Sequence, residues 1–314
     1  MSLTTTRVGA VARAAGAVPR RPRGSAARRP LTGVLFVAPT AVIVAGLFLV
    51  PLAILVYMSF MDWPLLASPT PNGVDNYRHL AHDSQFLGAI GFTLLYTAIT
   101  TVVLFAVAFV LVAISNSPRR GARFYRTAFF LPYVVGTAAA STMWWVDVND
   151  RLGVVNRALQ DASLVSKPVG FLDSPGKALF TTIALVVWKF VGFQVVVLLV
   201  GVQSIPGELY ESARVDGASV LQRLRYITLP GIKPTLALLT VLSVTGSLLA
   251  FDQFYVLTHG GPDNSTVTVV LALYNKAFQS YRLGDAAAEA VVLLVALIVL
   301  NVVQMRLLRN RDES

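Results

Sequence analysis

Residues 178–202 read ALFTTIALVVWKFVGFQVVVLLVGV, a long apolar run broken by a single charge, Lys189. A bilayer core of roughly 30 Å needs about 20 apolar residues at 1.5 Å of rise each, so this run predicts a membrane-spanning helix. A helix is required because hydrocarbon offers an open backbone no hydrogen-bond partner. Working outward, five further segments have the same character, at about 31–60, 86–115, 127–146, 234–257 and 286–306. The expected fold is an all-α integral membrane protein of six transmembrane helices.

Composition agrees with that reading. The chain of 314 residues is 55% hydrophobic and 13% charged, with a mean hydropathy of +0.66. A soluble domain of this size carries about twice as many charges. The net charge of +10 does not indicate a nucleic-acid binder, because Lys and Arg sit in clusters that flank the apolar runs. Eighteen of them fall in 1–30, 116–126, 203–233 and 306–311, against seven in the alternate connections. The positive-inside rule then places both termini, and the segment 203–233, in the cytoplasm, and the excess of Arg over Lys, 21 to 5, suggests a GC-rich bacterial genome and hence a bacterial inner membrane. Residues 1–30 read as a basic tail near anionic lipid, and 31–310 as one transmembrane domain. Arg20-Arg21 and Arg28-Arg29 before an apolar run have the outline of a twin-arginine signal, but the long run ending at Trp63-Pro64 lacks a small-residue cleavage site. The loops 61–85 and 147–177 are the longest outer connections.

The segment between the fourth and fifth runs carries the most local information. Ser204-Ile205-Pro206 reads as a helix start, with Ser as the cap. A short helix is expected to about Val215, then a turn at Gly217, where positive φ carries no Cβ penalty. Ser219 and Gln222 have capping-box spacing, so a second helix is expected to about Thr228, closed by Leu229-Pro230. Ser212, Ala213, Gly217 and Ala218 give this elbow a small surface that a partner's groove could enclose, while Glu211 and Asp216 offer carboxylates to a partner's Arg. The plain alternative is an ordinary polar loop.

Glu211-Ser212-Ala213, Gly217 after three more residues, and Ile227-x-Leu229-Pro230 after a further nine resemble the EAA motif of permease subunits in binding-protein-dependent ABC importers. Ser212 departs from the usual Ala. The stretch Phe251-Asp252-Gln253-Phe254-Tyr255-Val256-Leu257-Thr258-His259-Gly260-Gly261-Pro262 resembles a segment frequent in sugar and glycerol-phosphate permeases, its Gly-Gly-Pro expected to turn the chain and stop the fifth helix. The resemblance implies the type I importer permease fold with a cytoplasmic coupling helix. It assigns Glu211, Ser212, Ala213, Asp216, Gly217, Ala218, Leu229 and Pro230 to ATPase coupling. It also implies an ABC ATPase dimer, a second permease of different sequence, an extracytoplasmic solute-binding protein and a sugar-like substrate. No cofactor is expected on this chain, since ATP and magnesium belong to the partner ATPase.

Polar and aromatic groups inside spans mark candidate pathways. On the fourth run these are Trp188, Phe190, Phe193 and Gln194, which suit stacking on sugar C–H faces and bonding to hydroxyls. On the fifth, Ser243 and Ser247 share a face with Phe251. Packing is the competing role for each. Lys189 is expected to snorkel, pair with Glu289 or Asp252, or line the pathway.

Enzyme signals fail. Gly170 and Gly176-Lys177-Ala178 have the outline of a P-loop, but with five intervening residues and Ala where Ser or Thr must hold magnesium. His79 and His82 lack companions for a zinc site. Without cysteine there is no thiolate chemistry. Two rival readings are an ion-gradient transporter, which predicts inverted repeats and paired intramembrane carboxylates, and a membrane scaffold; glycerol 3-phosphate is the alternative solute.

Overall fold

The computed structural model describes residues 30–115, 122–151 and 153–309; the basic tail before Pro30 lies outside them. The chain divides into two units, Met1–Leu52 and Ala53–Ser314. Helix runs from Pro30, and Phe36–Met58 (α1), whose last six residues belong to the second unit, is a 23-residue apolar candidate span with no buried side chain in its window. A π-helical turn, Ala45–Leu49, closes with the Val50 N–H on the Ala45 carbonyl just before Pro51. Such a wide turn makes room for a proline ring in a helix that continues.

The second unit is built around Pro175–Gln203, the most enclosed candidate span, with 56% of its apolar window buried. In chain order its helices are Asp75–His82 (α2), Ser84–Ser115 (α3), Ala122–Val134 (α4), Thr137–Asp147 (α5), Val154–Asp161 (α6), Pro175–Gln203 (α7), Gly207–Val215 (α8), Val220–Gly231 (α9), Lys233–Leu248 (α10), Val269–Tyr274 (α11) and Leu283–Arg309 (α12). The helix α7 packs on α3, α4 and α10. One apolar cluster gathers Leu80, Phe86, Tyr96, Leu185, Phe254 and Leu271; another gathers Leu104, Val195, Leu198, Ile232 and Leu239.

Among the described residues four helices, α1, α3, α7 and α12, are long and apolar enough to cross a membrane, and the total reaches six if each of two bent pairs is one span. The expected third span, 127–146, is not a straight rod: α4 and α5 meet at 103°. Pro132 weakens the last turn of α4, and Gly136 sits in the break with φ −57° and ψ 143°. The expected fifth span, 234–257, stops at Leu248, well before the Gly-Gly-Pro turn. There the Thr268 hydroxyl donates to the freed Ala250 carbonyl at 2.8 Å, and a π-helical turn follows at Phe254–Thr258.

The connections 61–85 and 147–177 are each held by a buried asparagine. Asn76 donates to the carbonyls of Ser59 and Met61, both at 2.9 Å, beneath the short hairpin Met61–Asp62 with Thr70–Pro71. Asn156 makes a reciprocal pair with the Val169 backbone.

Candidate functional site

Two interruptions next to α7 open a cavity of about 430 Å³. The size falls within the roughly 300–1,000 Å³ common for small-molecule sites. From α7 come Val186, Phe190, Phe193 and Gln194; from α10 come Ser243, Gly246 and Ser247; from the chain beyond α10 come Phe251, Asp252 and Gln253. The bent span contributes Tyr133 and Thr137, one on each side of its break, and α3 contributes Tyr96 and Thr100.

The polar groups are cross-linked. Gln194 Nε2 donates to Ser243 Oγ at 2.6 Å, joining α7 to α10, while its buried Oε1 has no partner among the described residues. Gln253 Nε2 donates to the Tyr96 hydroxyl at 3.2 Å, joining the interrupted segment to α3. Tyr133 stacks on Phe193 with ring centres 4.9 Å apart and planes 14° apart, and meets Phe190 edge-on at 6.0 Å. The wall thus alternates flat apolar faces with amides, hydroxyls and one carboxylate.

Six of the seven pathway candidates, Phe190, Phe193, Gln194, Ser243, Ser247 and Phe251, come together here. Trp188 does not. Two helical residues from Phe190 is a rotation of about 200°, and Trp188 lines a separate apolar groove with Val103 and Phe129, packing on Trp144 at 6.0 Å. Tyr96, Thr100, Tyr133, Thr137, Asp252 and Gln253 were missed from sequence. On α3 a signal was present: Thr93, Tyr96, Thr97 and Thr100 recur at intervals of three and four, a polar stripe on one helical face.

Lys189 neither snorkels nor lines the cavity. It is 3% exposed and makes no close ion pair among the described residues, the expected partner Asp252 acting on it only at longer range. Its ammonium donates to the Tyr133 carbonyl at 3.4 Å and, in a shorter contact, to that of Val135, and lies 5.1 Å from the centre of the Phe190 ring. These carbonyls lost their helical partners at the 103° break, and a cation at a helix C-terminus is favoured by the macrodipole. Glu289 pairs instead with Lys276, at 2.5 Å.

The elbow is helix, turn, helix. It begins differently from expectation: Ser204 closes α7, donating to the Gly201 carbonyl at 2.7 Å, and Pro206 is the uncapped residue before α8. Gly217 turns the chain at φ +75°, with the Ala218 N–H on the Ala213 carbonyl at 2.8 Å. The Ser219–Gln222 capping box forms in both directions. The helix α9 runs past Thr228 to Gly231, because a π-helical turn, Leu224–Thr228, precedes Pro230 as another precedes Pro51; the 71° bend comes next, at Ile232. Tyr210 and Thr228 hydroxyls, 2.9 Å apart, tie the two arms. Glu211, Ser212, Asp216, Gly217 and Pro230 are exposed, whereas Ala213, Ala218 and Leu229 are half-buried. Beside the carboxylates, Val215 is 89% and Val220 74% exposed.

Long apolar helices around a polar and aromatic cavity define an integral membrane permease. The chain belongs to the family of binding-protein-dependent transport system inner membrane components, which its residues 116–312 match. It is 32% identical over 255 residues to the multiple sugar-binding transport system permease protein MsmF of Streptococcus mutans, covering 80% of this chain and 86% of that one. It is likewise 32% identical over 281 residues to the sn-glycerol-3-phosphate transport system permease protein UgpA of Escherichia coli, covering 88% and 94%. A solved bacterial ABC transporter involved in the import of the acidic polysaccharide alginate contains a chain that superposes with a TM-score of 0.79 at 25% identity, over 90% of this chain and 96% of that chain.

Proposed function

We propose that this chain is the permease subunit of an ABC importer for a sugar or sugar-like solute, with the solute crossing through the cavity between α3, the α4–α5 bend, α7 and α10. The observation that carries the reading is the exposed α8–α9 elbow, which bears the Glu211–Gly217 signature and leads directly into the two cavity-lining helices α7 and α10. Six spans, counting each bent pair as one, would place both termini and the elbow in the cytoplasm.

In this reading an ATPase dimer docks on the elbow, contacting Glu211, Ser212, Asp216 and Gly217 with Val215 and Val220 beside them. Ala213, Ala218 and Leu229 brace the turn from beneath, and Pro230 marks its exit. ATP and magnesium stay on that partner. A second permease of different sequence completes the pathway, and an extracytoplasmic solute-binding protein delivers the solute. The polar and aromatic wall favours carbohydrate: rings stack on C–H faces, while Gln194, Ser243, Ser247 and Gln253 meet hydroxyls. The names of the sugar-binding relative and the alginate importer support that class. Glycerol 3-phosphate is the second reading, on the similarity to UgpA.

The test is reconstitution with the ATPase and solute-binding partners, followed by solute-stimulated ATP hydrolysis. Glu211→Lys is expected to abolish stimulation while membrane insertion is unchanged. Full stimulation in that variant would remove the docking role, and uptake that survives ATP depletion but collapses with the proton gradient would replace the importer by an ion-coupled transporter.

A further inference from the structure

Lys189 belongs neither to the cavity lining nor to any ion pair among the described residues, yet it holds one of the two walls of the cavity where the helix is interrupted, the other being received by Thr268. A buried ammonium in a membrane helix is retained at a cost of about 3 kcal/mol on insertion scales, so its contacts deserve a functional account. Both of its hydrogen bonds go to α4's open carbonyl end, at Tyr133 and Val135. Tyr133 and Thr137, on the two sides of that end, face the cavity. The Tyr133 ring continues the arrangement, lying against Phe193 and Phe190 and 5.9 Å from the same ammonium.

We propose that Lys189 is a positioning residue for translocation: its ammonium pins the bend of the α4–α5 span and so sets where Tyr133 and Thr137 stand against the solute. The inference rests on the importer reading for its meaning in transport, but its geometric content does not. An ammonium is suited to the task because it carries three donors and a charge that opposes the carbonyl dipoles at a helix end. A methionine of similar length fills the same space and leaves those carbonyls without a partner. Arginine keeps charge and donors.

The absence of cysteine from the sequence gives a direct assay. Thr137→Cys is introduced into the full chain in nanodiscs, and its reaction rate with a water-soluble methanethiosulfonate is measured with Lys189, Lys189→Met and Lys189→Arg. Leu66→Cys, at a position 97% exposed in an outer loop, serves as the control thiol. The expected result is a change of about tenfold at Thr137→Cys in Lys189→Met, the scale of one lost charge-assisted hydrogen bond. Lys189→Arg should stay within about twofold of the parent, and the control thiol should be indifferent. An unchanged rate at Thr137→Cys in Lys189→Met, or equal changes at both thiols, overturns the proposal. If Lys189→Met does not accumulate, Lys189→Leu, which likewise has no donor, replaces it with the same expectation and the same refutation.

In the assembled importer, Lys189→Met should lower uptake per ATP hydrolysed about tenfold with stimulated hydrolysis within about twofold, whereas a merely structural defect lowers both together. A panel of labelled maltose, trehalose, raffinose and glycerol 3-phosphate serves as probe. If the parent importer moves none of them with ATP, the proposed function fails, while the thiol rates still decide the role of Lys189.

Discussion

Gly192 marks where α7 and α4 touch backbone to backbone, and replacing it with alanine perturbs the contact by a calculable amount. A Cβ built there would lie 1.9 Å from the Phe129 carbonyl oxygen, 2.4 Å from its carbon and 2.8 Å from the Phe130 Cα. Ordinary contact begins near 3.4 Å, so the two helices must separate by about 1.5 Å, and no flexible side chain can yield in their place. Overpacking of this kind costs about 1–3 kcal/mol, against the roughly 1 kcal/mol that alanine gains over glycine inside a helix. The net expectation for Gly192→Ala is a loss of up to about 2 kcal/mol. The shift also carries α4's carbonyl end away from Lys189, so ATP-driven uptake should fall by more than stability alone accounts for. Gly91→Ala on α3, where an added Cβ meets nothing within 4 Å, is the matched control and should be neutral or slightly stabilising. Denaturant unfolding of the purified chain in detergent, monitored through its tryptophans, measures both. If Gly192→Ala is as stable as Gly91→Ala, the close packing of α4 on α7 is wrong.

Lys276→Met leaves the fully buried Glu289 without its 2.5 Å partner and should destabilise by about 3–5 kcal/mol, as unpaired buried charges do. Adding Glu289→Gln should recover most of that loss in the same unfolding assay. The same cluster sets a pH window. Burial alone would raise the pKa of Asp83, but Lys276 at 2.6 Å and the backbone N–H groups of Phe86 and Gln85 hold it below the usual 3.8. Burial alone would lower that of Lys276, but Asp83 and Glu289 hold it above the usual 10.5. The depressed carboxyl contributes stability that is present above 3.8 and lost as pH falls through its folded value; the raised ammonium contributes stability present below 10.5 and lost as pH rises through its folded value. Melting temperature against pH should therefore show an acid limb that weakens in Asp83→Asn, and an unaltered limb would contradict this account.

The membrane class was legible because composition and run length are local properties, and so was the elbow, whose glycine turn and capping box are written within a few residues. The cavity was half legible. Phe190, Phe193 and Gln194 announce a polar and aromatic face on one helix, and Ser243 with Ser247 does so on another, since each set lies within one helical period. Trp188 failed because residue type was weighed without its rotation about α7. Tyr133 and Thr137 were hidden by a different cause. Their places depend on a bend that Pro132 and Gly136 only permit, and the group that satisfies the bend's open carbonyls lies 54 and 56 residues further along the chain. No local reading of 127–146 contains that information.

The same reasoning explains why interrupted backbone and cavity coincide. At membrane depth an open carbonyl or N–H is tolerated only where protein groups or a water-filled space receive it. The break after Val134 is received by Lys189 and the break after Leu248 by Thr268, and both open onto the cavity. Helix α7, uninterrupted between them, carries Gln194 to its 2.6 Å hydrogen bond with Ser243 on α10. In the proposed importer, movement of the docked ATPase dimer that pushes on the elbow reaches the solute through two rods already joined across the cavity. Ser243→Ala should then weaken the link between hydrolysis and uptake while leaving the elbow's docking of the ATPase intact. Uptake per ATP that is unaltered in Ser243→Ala, measured beside normal co-purification of the ATPase, would show that the two rods move independently.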